Sequence, residues 1–206
     1  MSRAPVIGLV MSTIMEANPF ILDLKLDQCE TSPFKIFCRE NIRLIITGIG
    51  KANSAMASSY FIHTYDPSVL CNLGAAGATD NRLLLGECCQ VEKIIEPDRP
   101  DLDTDFPSEH LPDILDGFTS VTLATHDKAV KESSEREKVA RVAQLVDMEA
   151  ASVVQTCRCF HKSCHVFKFV SDTPAHSHSN DIRTNISLYR EAFYRFFRDN
   201  VLLKLE

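Results

Sequence analysis

The sequence has no long apolar run, and this absence argues against a membrane protein. No stretch approaches the roughly 18 residues that a membrane-spanning helix needs. Only five apolar-type residues, 6–10, follow the N-terminal segment. They are too few for the core of a signal peptide, and no small-residue cleavage site follows them. We therefore expect a cytoplasmic protein without membrane contact, in which residues 6–10 form the first strand.

The sequence also lacks an excess of basic residues. The 22 Lys and Arg residues face 28 Asp and Glu residues, which leaves a formal net charge of -6. A nucleic-acid binder would need a basic surface, so this function is not expected, although a small nucleoside ligand is compatible with the charge. With 206 residues, of which 45% are hydrophobic and 24% charged, the chain has the size and composition of one folded domain over residues 1–206.

Glycine is scarce, with seven residues in the chain. Four of them follow predicted strands: Gly48, Gly50, Gly74 and Gly77. The pattern at 48–50 lacks the third glycine of a dinucleotide fingerprint, because Asn53 stands in its place. Lys51 is followed by Ala52, so the phosphate-binding loop of nucleoside triphosphatases is absent. A tight turn that packs a helix on a sheet is the simplest interpretation of this segment.

The eight cysteines are the abundant feature. Several lie within apolar runs, where a free cysteine behaves as a small hydrophobe. A disulfide scaffold would be shorter and poorer in core residues, so we expect reduced, buried thiols. A metal site is an alternative on residue type, built from Cys157, Cys159, His161, Cys164 and His165. Their spacing matches no standard CxxC pair, so we expect neither a metal nor a cofactor.

Apolar runs of strand length alternate with helical patterns along the chain. Strands are predicted at 6–10, 35–38, 43–47, 69–72, 86–95, 120–124, 142–146 and 165–171, and helices at 52–65, 127–140, 149–160 and 187–205. Residues 96–118 contain four prolines and many acids, which predicts a surface loop. The alternation predicts an α/β sheet with helices on both faces, whose ligands bind beyond the carboxyl ends of the strands.

Five segments that can carry chemistry fall at these strand ends: Glu16, 48–50, the small-residue turn at 72–78, 147–149 and 171–172. Each has a structural explanation when taken alone. Small residues are typical of tight turns, acids cap the first turn of a helix, and a lone Glu is usually solvated. Their shared position at one edge of the sheet favours a ligand site.

The order and spacing of these segments resemble the nucleoside phosphorylase superfamily, of the purine nucleoside/uridine phosphorylase type. Within it, methylthioadenosine/S-adenosylhomocysteine nucleosidases and futalosine hydrolases are most similar. The resemblance rests on Ile7-Gly8 with Met15-Glu16, Gly48-Ile49-Gly50-Lys51, Asn72-Leu73-Gly74-Ala75-Ala76-Gly77, and Asp147-Met148-Glu149-Ala150-Ala151 with Ser171-Asp172. It implies a three-layer α/β/α domain around a twisted mixed sheet that is partly closed into a barrel, and it implies a homodimer.

The resemblance also implies roles for individual residues. Asp172 matches the acid that protonates or hydrogen-bonds N7 of the purine, and Ser171 would support it. Glu149 matches the carboxylate that holds the ribose hydroxyls, with Met148 packed on the sugar, and Glu16 matches the carboxylate that positions the attacking water. Cleavage of an N-glycoside develops positive charge on the sugar, which carboxylates stabilise, while a separate acid protonates the leaving base.

Hydrolysis is favoured over phosphorolysis by what the early segments contain. Residues 11–16 have no arginine to grip phosphate, and Ala75 stands where phosphorolytic members have a serine. Gly74, Ala75 and Lys168 are assigned to substrate binding, with Lys168 in place of an arginine. Ala or Val at 129–130 falls where nucleosidases place an aromatic residue against the base. A 5′-modified purine nucleoside is therefore the expected substrate, of the methylthioadenosine or the bulkier futalosine type. A phosphorylase and a non-catalytic nucleoside-binding paralogue are the alternatives.

Overall fold

The computed structural model describes residues 5–100 and 108–205. Its strands are β1 (Ile7–Met11), β2 (Asp27–Glu30), β3 (Lys35–Arg39), β4 (Ile42–Ile46), β5 (Val69–Ala78), β6 (Cys88–Ile95), β7 (Glu109–His110), β8 (Ser120–Thr125), β9 (Leu145–Asp147) and β10 (Ser163–Asp172). Its helices are α1 (Ile14–Asp23), α2 (Lys51–Tyr65), α3 (Ser133–Val139), α4 (Ala150–Cys159) and α5 (Ser179–Phe196). A π turn at Phe197–Val201 and a 3-10 turn at Leu202–Lys204 follow α5.

One mixed sheet contains these ten strands, nine of them in the order β10-β6-β8-β9-β5-β1-β4-β3-β2, with β7 paired to β6 beside this path. β10 also pairs with β5 in parallel, so β5, β10, β6, β8 and β9 close into a five-strand barrel. The remaining strands, in the order β1, β4, β3 and β2, continue from β5 as an open sheet. The mixed sheet that is partly closed into a barrel confirms the expected fold class.

Apolar side chains cover both faces of the sheet. On one face, Phe61 of α2 and Val153 of α4 belong to a buried cluster with residues of β5 and β6. On the other face, Phe20 of α1 packs against Phe193 of α5, with ring centroids 5.9 Å apart. The helices therefore form two outer layers around the sheet, as the alternating pattern predicts.

Helix α1 is absent from the sequence prediction, which places no helix before residue 52. Pro19 lies inside the helix and lacks the N–H that would bond to the carbonyl of Met15. That carbonyl accepts a hydrogen bond from Arg190 Nη1 of α5 instead, at 2.8 Å. A contact between distant segments thus satisfies the backbone group that proline leaves free, and a local pattern does not reveal it.

Three predicted boundaries are wrong. Residues 72–78 are not a turn, because β5 continues through Ala78 by pairing with β10 and β9. The predicted helix at 127–140 is limited to α3, and the predicted helix at 187–205 starts earlier, at Ser179. Residues 101–107 of the predicted loop lie outside the described residues, as do residues 1–4 of the N-terminal segment.

The expectation of eight reduced cysteines is also wrong. Cys29 and Cys38 form a disulfide, with their Cα atoms 6.0 Å apart, between the antiparallel strands β2 and β3. The pairing went unpredicted because β2 is short and polar and gives no strand signal. The other six cysteines are free, and Cys71, Cys157 and Cys164 among them are buried.

Two properties of the described ranges bear on other classes of protein. No helix within 5–100 and 108–205 has the length and apolar character needed to cross a membrane. In the same ranges, His, Cys, Asp and Glu side chains form no group of three or more suited to a metal ion.

Candidate active site

Glu16 lies at the start of α1, where three groups hold its carboxylate. Thr13 caps the helix by accepting a hydrogen bond from the N–H of Glu16. In return, the hydroxyls of Ser12 and Thr13 donate to Oε2 of Glu16 at 2.8 and 2.5 Å. The N–H of Ala75 donates to Oε1 at 2.8 Å. The side chain is therefore fixed in one orientation between α1 and β5.

Two glycines of β5 lie against the carboxylates of Glu16 and Asp172. A Cβ added at Gly74 would lie 2.9 Å from Oε1 of Glu16, and one added at Gly77 would lie 2.7 Å from Oδ2 of Asp172. Both glycines therefore allow a carboxylate to approach the backbone of the strand.

Asp172 ends β10 at an irregularity in the strand pairing. Val170 pairs with Ala76 and Asp172 with Gly77, so Ser171 is an extra residue opposite β5. Bulges of this kind redirect side chains and are frequent beside active sites. The hydroxyl of Ser171 donates to Oδ1 of Asp172 at 2.6 Å.

Arg136, on α3, is the second partner of Asp172. Its Nη2 donates to Oδ2 of Asp172 in a buried ion pair, and its Nη1 donates to the carbonyl of Ala78 at 2.6 Å. The sequence analysis missed Arg136, which lies in a charged segment typical of a solvated helix. The sequence offers one signal for its burial. Arg136 lies three residues before the apolar Val139, so the two share one face of the helix, and they are the buried residues of α3.

Glu149 precedes α4 and is buried, with 8% of its surface exposed. Its Oε1 accepts a hydrogen bond of 2.8 Å from the N–H of Gly50, in the glycine pair at the start of α2. Burial, followed by the charge of Asp147, raises the pKa of Glu149 to about 7. Gly48 and Gly50 both have positive φ in the turn before α2, and the N–H of Gly50 also orients a carboxylate.

Lys168 and Asp147 form a buried ion pair of 2.9 Å, with 2% and 1% of their side chains exposed. Asp147 also accepts hydrogen bonds from Thr125 Oγ1 at 2.7 Å and from the N–H of Ala150 at 3.0 Å. Lys168 is therefore engaged beneath the site rather than in the cavity. Its position differs from the substrate contact that the resemblance implies.

A cavity of about 180 Å³ brings most of the predicted residues together. Its lining includes the predicted residues Glu16, Ala75, Met148, Glu149, Ser171 and Asp172. Gly74 lies behind Glu16 and does not line it. Within the part of the chain that the structure describes, the lining has no aromatic side chain, and its cationic members are Lys131 and Arg136. Ile182 and Ile186 of α5 add an apolar wall that the sequence analysis did not predict.

The fold and the cavity define an α/β protein in which four acidic side chains, Glu16, Asp147, Glu149 and Asp172, line one site. The family model described as the phosphorylase superfamily matches residues 34–201. The chain belongs to this superfamily, as the sequence resemblance predicted.

Relatives agree with this assignment. The 5′-methylthioadenosine/S-adenosylhomocysteine nucleosidase of Staphylococcus carnosus is 27% identical over 157 residues, which cover 65% of this chain and 69% of that protein. Among solved structures, a mutant of Helicobacter pylori MTAN with 5′-methylthioadenosine in its active site has a TM-score of 0.84 at 17% identity, covering 97% and 98% of the two chains. The futalosine hydrolase of Helicobacter pylori has a TM-score of 0.83 at 18% identity, covering 94% and 96%. These structures share the fold.

Proposed function

We propose that this protein hydrolyses the N-glycosidic bond of a 5′-modified purine nucleoside to give the free base and the 5′-modified ribose. The observation that carries the proposal is the convergence of Glu16, Glu149 and Asp172 on one cavity. The similarity to a methylthioadenosine/S-adenosylhomocysteine nucleosidase supports it. We extend the proposal to a single domain over 1–206 that acts in the cytoplasm and needs no cofactor.

The three carboxylates divide the reaction among them. Glu16 accepts a proton from water as the water oxygen bonds to the anomeric carbon. The bond from that carbon to the base nitrogen breaks, its electron pair moves into the base, and Asp172, which enters the reaction as the carboxylic acid, gives its proton to N7. Glu149 holds the ribose hydroxyls and stabilises the positive charge on the sugar, against which Met148 packs. Ser171 keeps Asp172 oriented.

Water is a better nucleophile than phosphate in this cavity. A phosphate beside the small residues of β5 would meet the carboxylate of Glu16, which repels it. Ala75 offers a backbone N–H there, and Glu16 already accepts it. Of the two cationic lining residues, Arg136 is paired with Asp172, and Lys131 donates to Ser179 at 2.8 Å. The site therefore favours hydrolysis over phosphorolysis.

Free-base release from methylthioadenosine, adenosylhomocysteine, aminodeoxyfutalosine, futalosine and inosine tests this function. Each compound is assayed with and without phosphate, with the wild type and with Asp172→Asn. We expect phosphate-independent release from a 5′-modified compound, and a loss of about 10²-fold or more in the variant. Release that requires phosphate would identify a phosphorylase. Binding without release by the folded protein would identify a non-catalytic paralogue.

We also propose a homodimer in which the partner covers the mouth of the cavity. Ile49 lines the cavity while 56% exposed, and Met56, on α2, is 57% exposed. Covering them would remove apolar surface from water at the entrance to the site. Sedimentation analysis of the wild type and of Met56→Asp tests this: we expect a dimer that the substitution dissociates, and a monomeric wild type would contradict it.

A further inference from the structure

We infer that Arg136 makes the site selective for a purine with a 6-oxo group over one with a 6-amino group. The inference rests on the proposed function and adds the identity of the base to it. Asp172 recognises N7 in that proposal, and Arg136 is in direct contact with Asp172. N7 and the substituent at C6 lie side by side on one edge of a purine, so neighbouring protein groups meet neighbouring base atoms.

The position of Arg136 suits contact with a ligand. It lines the cavity although only 2% of its surface is exposed. The hydrogen bonds to Asp172 and Ala78 use one N–H of Nη2 and one of Nη1, so each of these nitrogens keeps a second N–H, and Nε is buried without a partner among the described residues. A buried donor without a partner costs free energy, which a ligand acceptor would recover.

The donor pattern decides which base fits. A guanidinium group carries five N–H donors and no acceptor. With Asp172 at N7, the guanidinium meets the 6-oxo oxygen, which is an acceptor that arginine commonly contacts on a purine. Beside a 6-amino group the same side chain meets a donor, so one polar group of the pair stays unsatisfied.

A purely structural role predicts a different result. If Arg136 only holds Asp172 in place, its replacement lowers turnover of both kinds of base by the same factor. If Arg136 contacts the base, its replacement changes the ratio of the two. The ratio of kcat/KM values for a matched pair of substrates therefore separates the two roles.

The test uses pairs that share a 5′ group and differ at C6: methylthioinosine with methylthioadenosine, and futalosine with aminodeoxyfutalosine. We expect the wild type to favour the 6-oxo member by about tenfold or more in kcat/KM. Arg136→Gln should bring the ratio close to one by lowering kcat/KM for the 6-oxo member, because an amide both donates and accepts. Arg141→Gln, an exposed arginine two residues beyond α3, is the matched control and should keep the wild-type ratio.

A wild-type ratio of one or less would overturn the inference, as would an equal loss for both members in Arg136→Gln. If Arg136→Gln does not fold, Arg136→Lys is measured in its place. A shift of the kcat/KM ratio towards one is again expected, because lysine lacks the planar fork of arginine. If the folded wild type releases no base from these four compounds or from adenosylhomocysteine, the proposed function fails. Calorimetry with free hypoxanthine and adenine then tests the inference alone: tighter hypoxanthine binding supports it, and equal or weaker binding overturns it.

Discussion

The N–H of Gly50 donates a hydrogen bond of 2.8 Å to Oε1 of Glu149, which lies 99 residues further along the chain. This contact joins the turn before α2 to the junction between β9 and α4. It occupies one oxygen of the carboxylate and leaves Oε2 for a substrate. Because a backbone group makes the contact, its strength does not depend on the side chain of a neighbouring residue.

The raised pKa of Glu149 predicts a pH-dependent activity. Only the ionised carboxylate stabilises a positive sugar, so we expect kcat/KM to rise as the pH passes through about 7. The free energy of unfolding has the opposite dependence on pH. The folded state binds the proton more tightly than the unfolded state does, so the free energy of unfolding falls as the pH rises from 4.5, the ordinary pKa of a glutamate, to about 7.

Rate profiles and urea unfolding from pH 5 to pH 8 measure both effects. Glu149→Gln should remove the change near pH 7 from the kcat/KM profile and the matching change from the free energy of unfolding. Glu137→Gln, at an exposed position of α3, should retain both changes. A wild-type rate that does not change over this range would contradict the role of Glu149.

Glu16→Gln should abolish most of the turnover without unfolding the protein. The glutamine oxygen still accepts the N–H of Ala75, but the amide cannot take a proton from water. We expect kcat to fall by about 10²- to 10⁴-fold, with little change in the melting temperature. Glu92→Gln, at an exposed position of β6, is the control. Wild-type turnover in Glu16→Gln would remove Glu16 from the mechanism.

Gly77→Ala should displace Asp172. The added methyl group would lie 2.7 Å from Oδ2 of Asp172, and Gly77 has no positive φ, so the effect is steric rather than a backbone conflict. We expect a loss of about 10²-fold in kcat/KM, since misplacement of a catalytic group by about 1 Å has that effect. In an Asp172→Asn background, the same substitution should cost little more. Additive losses would show that Gly77 acts through another residue.

Lys168→Met should lower stability strongly, because it leaves Asp147 buried and without its cation. We expect a loss of about 3–5 kcal/mol in the free energy of unfolding by urea. Lys162→Met breaks an ion pair whose partner, Asp66, is 86% exposed, and should cost below about 1 kcal/mol. Equal effects of the two substitutions would mean that the Lys168–Asp147 pair is not important for stability.

Strand-end position was enough to find Glu149 and Asp172 in the sequence, because buried strands have a clear apolar signal and ligands bind beyond their ends. Arg136 was not found, since its burial depends on how α3 packs against β5 and β10. The charge of Lys168 is evident in the sequence, but its partner Asp147 is not. Asp147 lies on β9, which does not pair with β10, and a strand pattern does not show which residues of two unpaired strands meet. The Cys29–Cys38 disulfide was missed for a related reason: the strand that carries Cys29 is exposed and polar.

The extra residue at Ser171 has a consequence for how this site can change. Deleting Ser171 would leave Val170 opposite Ala76, Asp172 opposite Gly77 and every carboxylate in the sequence, yet it would remove the hydroxyl that donates to Oδ1 of Asp172. A variant can thus keep all of its acidic residues and the register of this strand while losing the group that orients one of them.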